Sequence, residues 1–174
     1  RDTDRSRGLG DVYKRQGHLD GLKMCYIGDG NNMANSLIVG GLKTGMQVSV
    51  ACPEGYRPDS RVLDFANNYA GFSMFTEPME AASGADVIFT DVWASMGQEG
   101  EAEERKKIFG GKYQVNKELL AVANSGCMVQ HCLPAHRGEE ITADVFESHA
   151  DEIFDEAENR LHAQKAVMVT LMEK

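Results

Sequence analysis

From Gly21 onward, short apolar runs alternate with stretches of helical periodicity. The run LKMCYIGD at 22–29 has the length of a buried strand and ends in a glycine turn. Residues 31–42 predict a helix, closed by Lys43, Thr44 and Gly45 in the manner of a C-cap. MQVSVAC at 46–52 predicts a second strand, stopped by Pro53. Val62, Leu63, Phe65, Ala66 and Tyr69 recur close to every 3.6 residues and predict a helix over 59–70. A short strand at 73–77, a brief helix at 78–85 with Pro78 at its first position, and a strand at 86–93 follow. The polar stretch 95–111, with glycines near both ends, predicts a long loop or a loop enclosing a charged helix. Beyond it the pattern predicts a helix at 116–123, a strand at 127–134, a short helix capped by Thr142 that contains Val145 and Phe146, and a last helix at 156–174.

Strands regularly separated by helices predict an α/β fold, a three-layer Rossmann-like domain with a mainly parallel sheet flanked by helices. That domain is expected to span 17–174. Residues 1–16 carry five basic and three acidic side chains and few apolar ones, and no Met precedes them. They are expected to be a disordered or foreign leader outside the fold, on a gene truncated at that end.

In an open parallel sheet, ligands bind outside the C-terminal ends of the strands. Three polar sets fall there: 28–32 after the first strand, 91–97 after the fourth, and His131, Cys132, Leu133 and Pro134 after the fifth. Their convergence on one sheet edge is the main argument for a small-molecule site. The glycines at 28 and 30 suit a tight turn, while the amides of Asn31 and Asn32, at a helix N-terminus, suit a carboxylate. Asp91 suits either a ligand ammonium or a helix cap. Ser95-Met96-Gly97 is either a plain loop or a backbone that closes over a ligand. Cys132 reads as packing or as a site thiol, and His131 as a core histidine with a satisfied hydrogen bond or as a site member. A cis Leu133–Pro134 bond would aim neighbouring carbonyls into a cleft. Arg160 reads as the partner of Glu156 one turn earlier, or as a guanidinium fork for a phosphate or an oxyanion.

A nicotinamide cofactor fits poorly. The dinucleotide fingerprint wants glycine where Met33 stands, and the second strand ends in Ala51-Cys52-Pro53 rather than an acid, although Glu54 follows. Composition narrows the classes further. The chain has 174 residues, 42% hydrophobic and 26% charged, with a net charge of -9. An acidic chain repels phosphate backbones, which argues against nucleic acid. No apolar run reaches the roughly 18 residues that a membrane span needs. Cys25, Cys52, Cys127 and Cys132 form no C-x-x-C pair, and His shows no zinc-finger spacing, so a reduced cytoplasmic setting is expected.

Four segments together resemble the ornithine carbamoyltransferases: IGDGNNMANS (27–36), TDVWASMGQE (90–99), HCLPAHRGEEI (131–141) and FDEAENRLHAQKAVM (154–168). The aspartate-using relatives carry a proline where Cys132 stands and lack the Ser-Met-Gly loop. The resemblance covers about residues 20–174. It implies transfer of a carbamoyl group from carbamoyl phosphate to the side-chain amine of L-ornithine, giving L-citrulline and phosphate, a step of arginine biosynthesis. It implies no metal and no organic cofactor. Carried over, it implies that Asn32, with Asn31 beside it, holds the ornithine α-carboxylate and that Asp91 meets the α-ammonium group. Ser95 and Met96 close over the amino acid, Cys132 and the Leu133 carbonyl orient the attacking amine and the carbamoyl NH₂, and Arg160 binds the carbamoyl oxygen. The family's phosphate-binding Ser-x-Arg-Thr and His-Pro-x-Gln segments do not occur here. They belong to an N-terminal domain that also makes most of the family's trimer contacts and covers part of the last helix. The expectation is therefore an amino-acid half-site, inactive alone. The alternatives are an amino-acid-binding module without turnover, or a relative using putrescine or a modified ornithine.

Overall fold

A computed structural model describes residues 7–94 and 99–173. Five strands form one sheet: β1 (Lys23–Ile27), β2 (Gln47–Ala51), β3 (Phe72–Phe75), β4 (Val87–Thr90) and β5 (Met128–His131). Their order is β3-β2-β1-β4-β5, and every neighbouring pair is parallel. The strands are short; β1, β2, β4 and β5 are almost wholly buried, as a sheet covered on both faces requires, while the edge strand β3 is only half-buried.

The helices divide between the two faces. On one lie α1 (Arg7–Gln16), α2 (Asn32–Lys43) and α3 (Ser60–Ala66), packing Leu9, Val12, Leu37, Ile38 and Ala66 against Met24, Val48 and Phe89. On the other lie α4 (Pro78–Ala82), α5 (Ala102–Phe109), α6 (Lys117–Leu120) and α7 (Ala143–Ser148), which bring Ala81, Phe109, Leu119 and Phe146 onto Ile27, Ile88 and Val129. α8 (Ala150–Met172) runs along the β5 edge, where Ile153 is fully buried. The topology reverses between β1 and β4, and there the connections leave to opposite faces and open a crevice.

The expected α/β architecture is present, with adjustments. α3 stops at Ala66 because the Asn68 amide bonds the Asp64 and Phe65 carbonyls and turns the chain toward β3. The charged helix inside the long connection is α5. α8 begins at Ala150 rather than 156: Asp151 and Glu152 fill its first turn, where acids suit the helix dipole, and Ile153 anchors it. Residues 7–16 also depart from expectation. They form α1, because two apolar side chains one turn apart, Leu9 and Val12, are enough to dock it. Arg15 pairs with Asp155 at 2.7 Å, and Asn159 bonds Asp11, tying α1 to α8. No helix among the described residues is long and apolar enough to cross a membrane.

Candidate functional site

The site begins with the turn that leaves β1. Gly28 adopts φ +140°, a conformation that L side chains rarely reach. At Gly30 a Cβ would lie 2.3 Å from the Arg57 carbonyl carbon, so only glycine lets the β1–α2 turn meet the loop at 56–58. The turn delivers Asn31 to the N-cap of α2, where its Oδ1 accepts from the Met33 and Ala34 amides at 2.9 and 3.3 Å. Its Nδ2 remains to donate to Asp91 Oδ2 at 3.0 Å. Asp91 leaves the end of β4 and is 6% exposed. Its other oxygen accepts from its neighbour's amide, Val92 N, at 2.8 Å and from the Cys132 thiol, at the end of β5, at 2.9 Å. One carboxylate thus ties together the ends of β1, β4 and β5.

The remaining candidates fall around this knot. Asn32 is exposed at the start of α2, beside Asn31. Arg160 lines a small pocket on α8 together with Cys132, Glu156 and Ala157. Leu133 is half-buried at φ +53°, and the Leu133–Pro134 bond is cis. Ser95 and Met96 lie outside the described residues. Asn31, Asp91 and Cys132 are brought into direct contact; Arg160 shares a small pocket with Cys132, while Asn32, next to Asn31 in sequence, lines a groove between α2 and α3.

Two groups missed in the sequence reading support the edge. Arg105 of α5 donates to Asp29 Oδ2 at 2.8 Å and to the Trp93 carbonyl at 2.9 Å, and its guanidinium lies over the Tyr56 ring. Both members of this ion pair are buried. Burial pushes the Asp29 carboxyl above its ordinary value despite Arg105. Burial also disfavours the charged guanidinium, but the Asp29 bond and charge outweigh it and hold Arg105 more firmly protonated. The short Arg105–Asp29 contact between opposite charges holds the pair ionised. An Arg amid Glu103, Glu104, Lys106 and Lys107 reads as a solvated face, so its sequence surroundings hid it.

The second group is Glu140. Its Oε1 faces His131 Nε2 at 3.0 Å and accepts from the His136 amide at 2.6 Å, and both His131 and Glu140 are fully buried. His131 is therefore the core histidine with satisfied hydrogen bonds. Burial pushes the Cys25, Cys52 and Cys127 thiols up to about 12, which makes them packing groups rather than nucleophiles. Asp91, His131 and Cys132 offer ligating atoms within 4.8 Å of one another, but those of Asp91 are engaged by Asn31 and Val92, and those of His131 by Glu140 and the Leu133 amide. In a second such group, His136, Glu139 and Glu140, the Lys106 ammonium already holds Glu139 at 2.8 Å.

Residues 20–171 match the family described as Aspartate/ornithine carbamoyltransferase, Asp/Orn binding domain. An ornithine carbamoyltransferase of Thermococcus kodakarensis is 54% identical over 166 residues, which is 92% of this chain and 52% of that protein. Among solved structures, the ornithine carbamoyltransferase from Pyrococcus furiosus superposes with a TM-score of 0.86 at 48% identity, covering 97% of this chain and 55% of that one. The enzyme from Gloeobacter violaceus gives 0.86 at 45% identity, covering 99% and 59%. The chain spans about half the length of the curated relatives it matches.

Proposed function

This chain belongs to the aspartate/ornithine carbamoyltransferase family, and we propose that it supplies the amino-acid half of a site that transfers a carbamoyl group from carbamoyl phosphate to L-ornithine. The observation that carries this reading is Asp91, a buried carboxylate that holds Asn31 and Cys132 at the meeting point of three strand ends. Its Oδ1 is held by Val92 and Cys132, and its Oδ2, which accepts from Asn31, is the oxygen that suits an α-ammonium group. Asn32 at the exposed α2 N-terminus suits the α-carboxylate, with Asn31 beside it. Ser95 and Met96 would close over the amino acid through their backbone.

The chemistry asks little more of this half. The attacking amine must lose a proton from a reference pKa of about 10.4. A carboxylate beside it would favour the ammonium form, so Asp91 serves by engaging the α-amine and sparing the reacting one. The Cys132 thiol and the Leu133 carbonyl orient the attacking amine and the carbamoyl NH₂. As the amine attacks, charge develops on the carbamoyl oxygen, and Arg160 stabilises it; one such donor is worth roughly 3 to 4 kcal/mol of barrier. Collapse of the tetrahedral intermediate breaks the bond from carbon to the phosphate oxygen, the leaving phosphate takes the proton that the amine sheds, and L-citrulline remains. The rest of the rate comes from holding two substrates in line.

The phosphate group of carbamoyl phosphate is bound, on this reading, by residues outside this chain, in a cytoplasmic enzyme whose full-length form is a trimer. The need for both α-groups argues against putrescine, which keeps the second amine but lacks the α-carboxylate that Asn32 would hold. The test is citrulline formation from the two substrates. The chain alone is expected to give none, and adding a carbamoyl phosphate-binding half is expected to restore it. Robust turnover by the chain alone would overturn the division of labour. Ornithine binding without turnover, even with that half supplied, would favour the binding-module alternative.

A further inference from the structure

The buried pair His131 and Glu140 touches none of the proposed substrate atoms, yet it grips the segment that does. The Leu133 amide donates to His131 Nδ1 at 3.0 Å. A backbone N–H can only donate, so Nδ1 must carry its lone pair there and the ring proton must sit on Nε2. Nε2 faces Glu140 Oε1 at 3.0 Å. The same oxygen accepts from the His136 amide, and the Glu140 carbonyl accepts from the Val115 amide at 2.8 Å, so the carboxylate is itself pinned. Leu133 is the one non-glycine residue with positive φ among the described residues, at +53°. Nothing in a leucine side chain favours that conformation, so its surroundings must hold it.

We infer that Glu140 and His131 are positioning residues: Glu140 fixes the Nε2–H tautomer of His131, and the free Nδ1 lone pair then fixes the Cys132–Leu133 peptide plane, from which the Leu133 carbonyl is set by the single φ/ψ pair of Leu133. With the Cys132 thiol anchored on Asp91 and the next amide anchored on His131, the segment 132–133 is clamped at both ends. The opposite tautomer would point Nδ1–H at the Leu133 N–H, donor against donor, and would release the Cys132–Leu133 plane and with it the φ +53° turn that places the Leu133 carbonyl. This assignment rests on the proposed role of that carbonyl in orienting the amine.

Two substitutions separate the atoms. His131→Asn places Oδ1 the same number of bonds from the backbone as Nδ1, and so keeps an acceptor for Leu133. His131→Gln extends its amide toward Glu140 and leaves Leu133 without one. Glu140→Gln keeps an acceptor oxygen, with its NH₂ near His136 Nδ1, which lies 3.9 Å from Oε2. Glu140→Ala removes the acceptor. In a full-length protein carrying this chain, His131→Gln and Glu140→Ala are expected to lower kcat about 100-fold, the scale of a small misplacement at a reacting centre. The KM for ornithine should stay within a few-fold, because Asp91 and Asn32 are untouched. His131→Asn and Glu140→Gln should stay within about 10-fold of the parent, the scale of one hydrogen bond. Nitrogen-15 NMR of the chain itself should show His131 as the Nε2–H tautomer, with the Leu133 amide shift kept in His131→Asn and lost in His131→Gln. An Nδ1–H tautomer, or equal effects of Asn and Gln at 131 on both kcat and the Leu133 amide, would overturn the inference. If a variant fails to fold, the tautomer of the parent and the remaining pair at 140 still decide. A parent that makes no citrulline would instead count against the proposed function, with the NMR contrast still testing the clamp.

Discussion

At the ends of β1, β4 and β5, polar side chains close on one another, whereas along the C-terminal half of α8 apolar side chains face solvent. Asn31, Asp91 and Cys132 form one hydrogen-bonded knot, braced by the Asp29–Arg105 pair. Leu161, Met168, Val169, Leu171 and Met172 are each at least half exposed. The first region is preorganised by contacts within the chain, so its geometry should survive in the chain by itself. The second gains little from this chain's own packing. The difference can be broken at either end, and the two ends should respond on different scales.

The largest effect is expected at Arg105. Arg105→Met removes one partner of a buried ion pair and leaves Asp29 charged without its cation, a loss of about 3 to 5 kcal/mol. Chemical denaturation should show it as a lower midpoint with an unchanged slope. A loss under about 1 kcal/mol would mean that the pair barely outweighs the cost of burying it.

Next comes Asp91. In a full-length protein, Asp91→Ala is expected to raise the ornithine KM by roughly 10- to 100-fold, the worth of one charged hydrogen bond, and to leave carbamoyl phosphate binding nearly unchanged. Equal losses for both substrates would give Asp91 a different job. The positions of Asp91 and Cys132 at strand ends were legible because both follow short buried segments that open on apolar residues, and parallel topology sends every such end to one edge. The glycines at 28 and 30 were legible as a turn for the same reason. The partners were not. Arg105 lies 76 residues from Asp29, inside a charged stretch whose apolar signal comes chiefly from Ile108 and Phe109. Glu140 follows another glutamate in a polar loop, and only the folded path of 135–141 shows that one of the two is fully buried and the other is not. α1 was missed because its two buried apolar residues, Leu9 and Val12, are outnumbered by charged neighbours, although they fall on one face of the helix.

A smaller, pH-dependent effect is expected where α8 meets β5. Glu152 accepts from the Val129 amide and faces His149 Nδ1, each at 2.9 Å. Burial alone would raise its carboxyl, but these two bonds outweigh burial and hold it below its ordinary value of 4.5. A lowered carboxyl contributes stability above its unfolded value and loses that contribution as pH falls through the folded one. Glu152→Gln should therefore cost about 1 kcal/mol at neutral pH and flatten the decline of stability below about pH 4.5. Parallel urea titrations from about pH 6 to about pH 3 would read the difference. A decline just as steep in the variant would place the acid sensitivity elsewhere.

The smallest effect is expected on the exposed face of α8, and its smallness is the point. Leu171 is 66% exposed, so Leu171→Ala should change the stability of this chain by no more than about 0.5 kcal/mol. Ile153, on the same helix but fully buried, should cost about 2 to 5 kcal/mol on truncation to alanine. The ratio of these two values measures how far the body of the domain supports its last helix. If the carbamoyl phosphate-binding half of the proposed enzyme covers this face, adding that half should raise the cost of Leu171→Ala above about 1 kcal/mol, because the leucine then loses buried area rather than exposed area. Unchanged costs with and without that half would leave the apolar face of α8 outside the interface, and the contrast between the two regions would then need another cause.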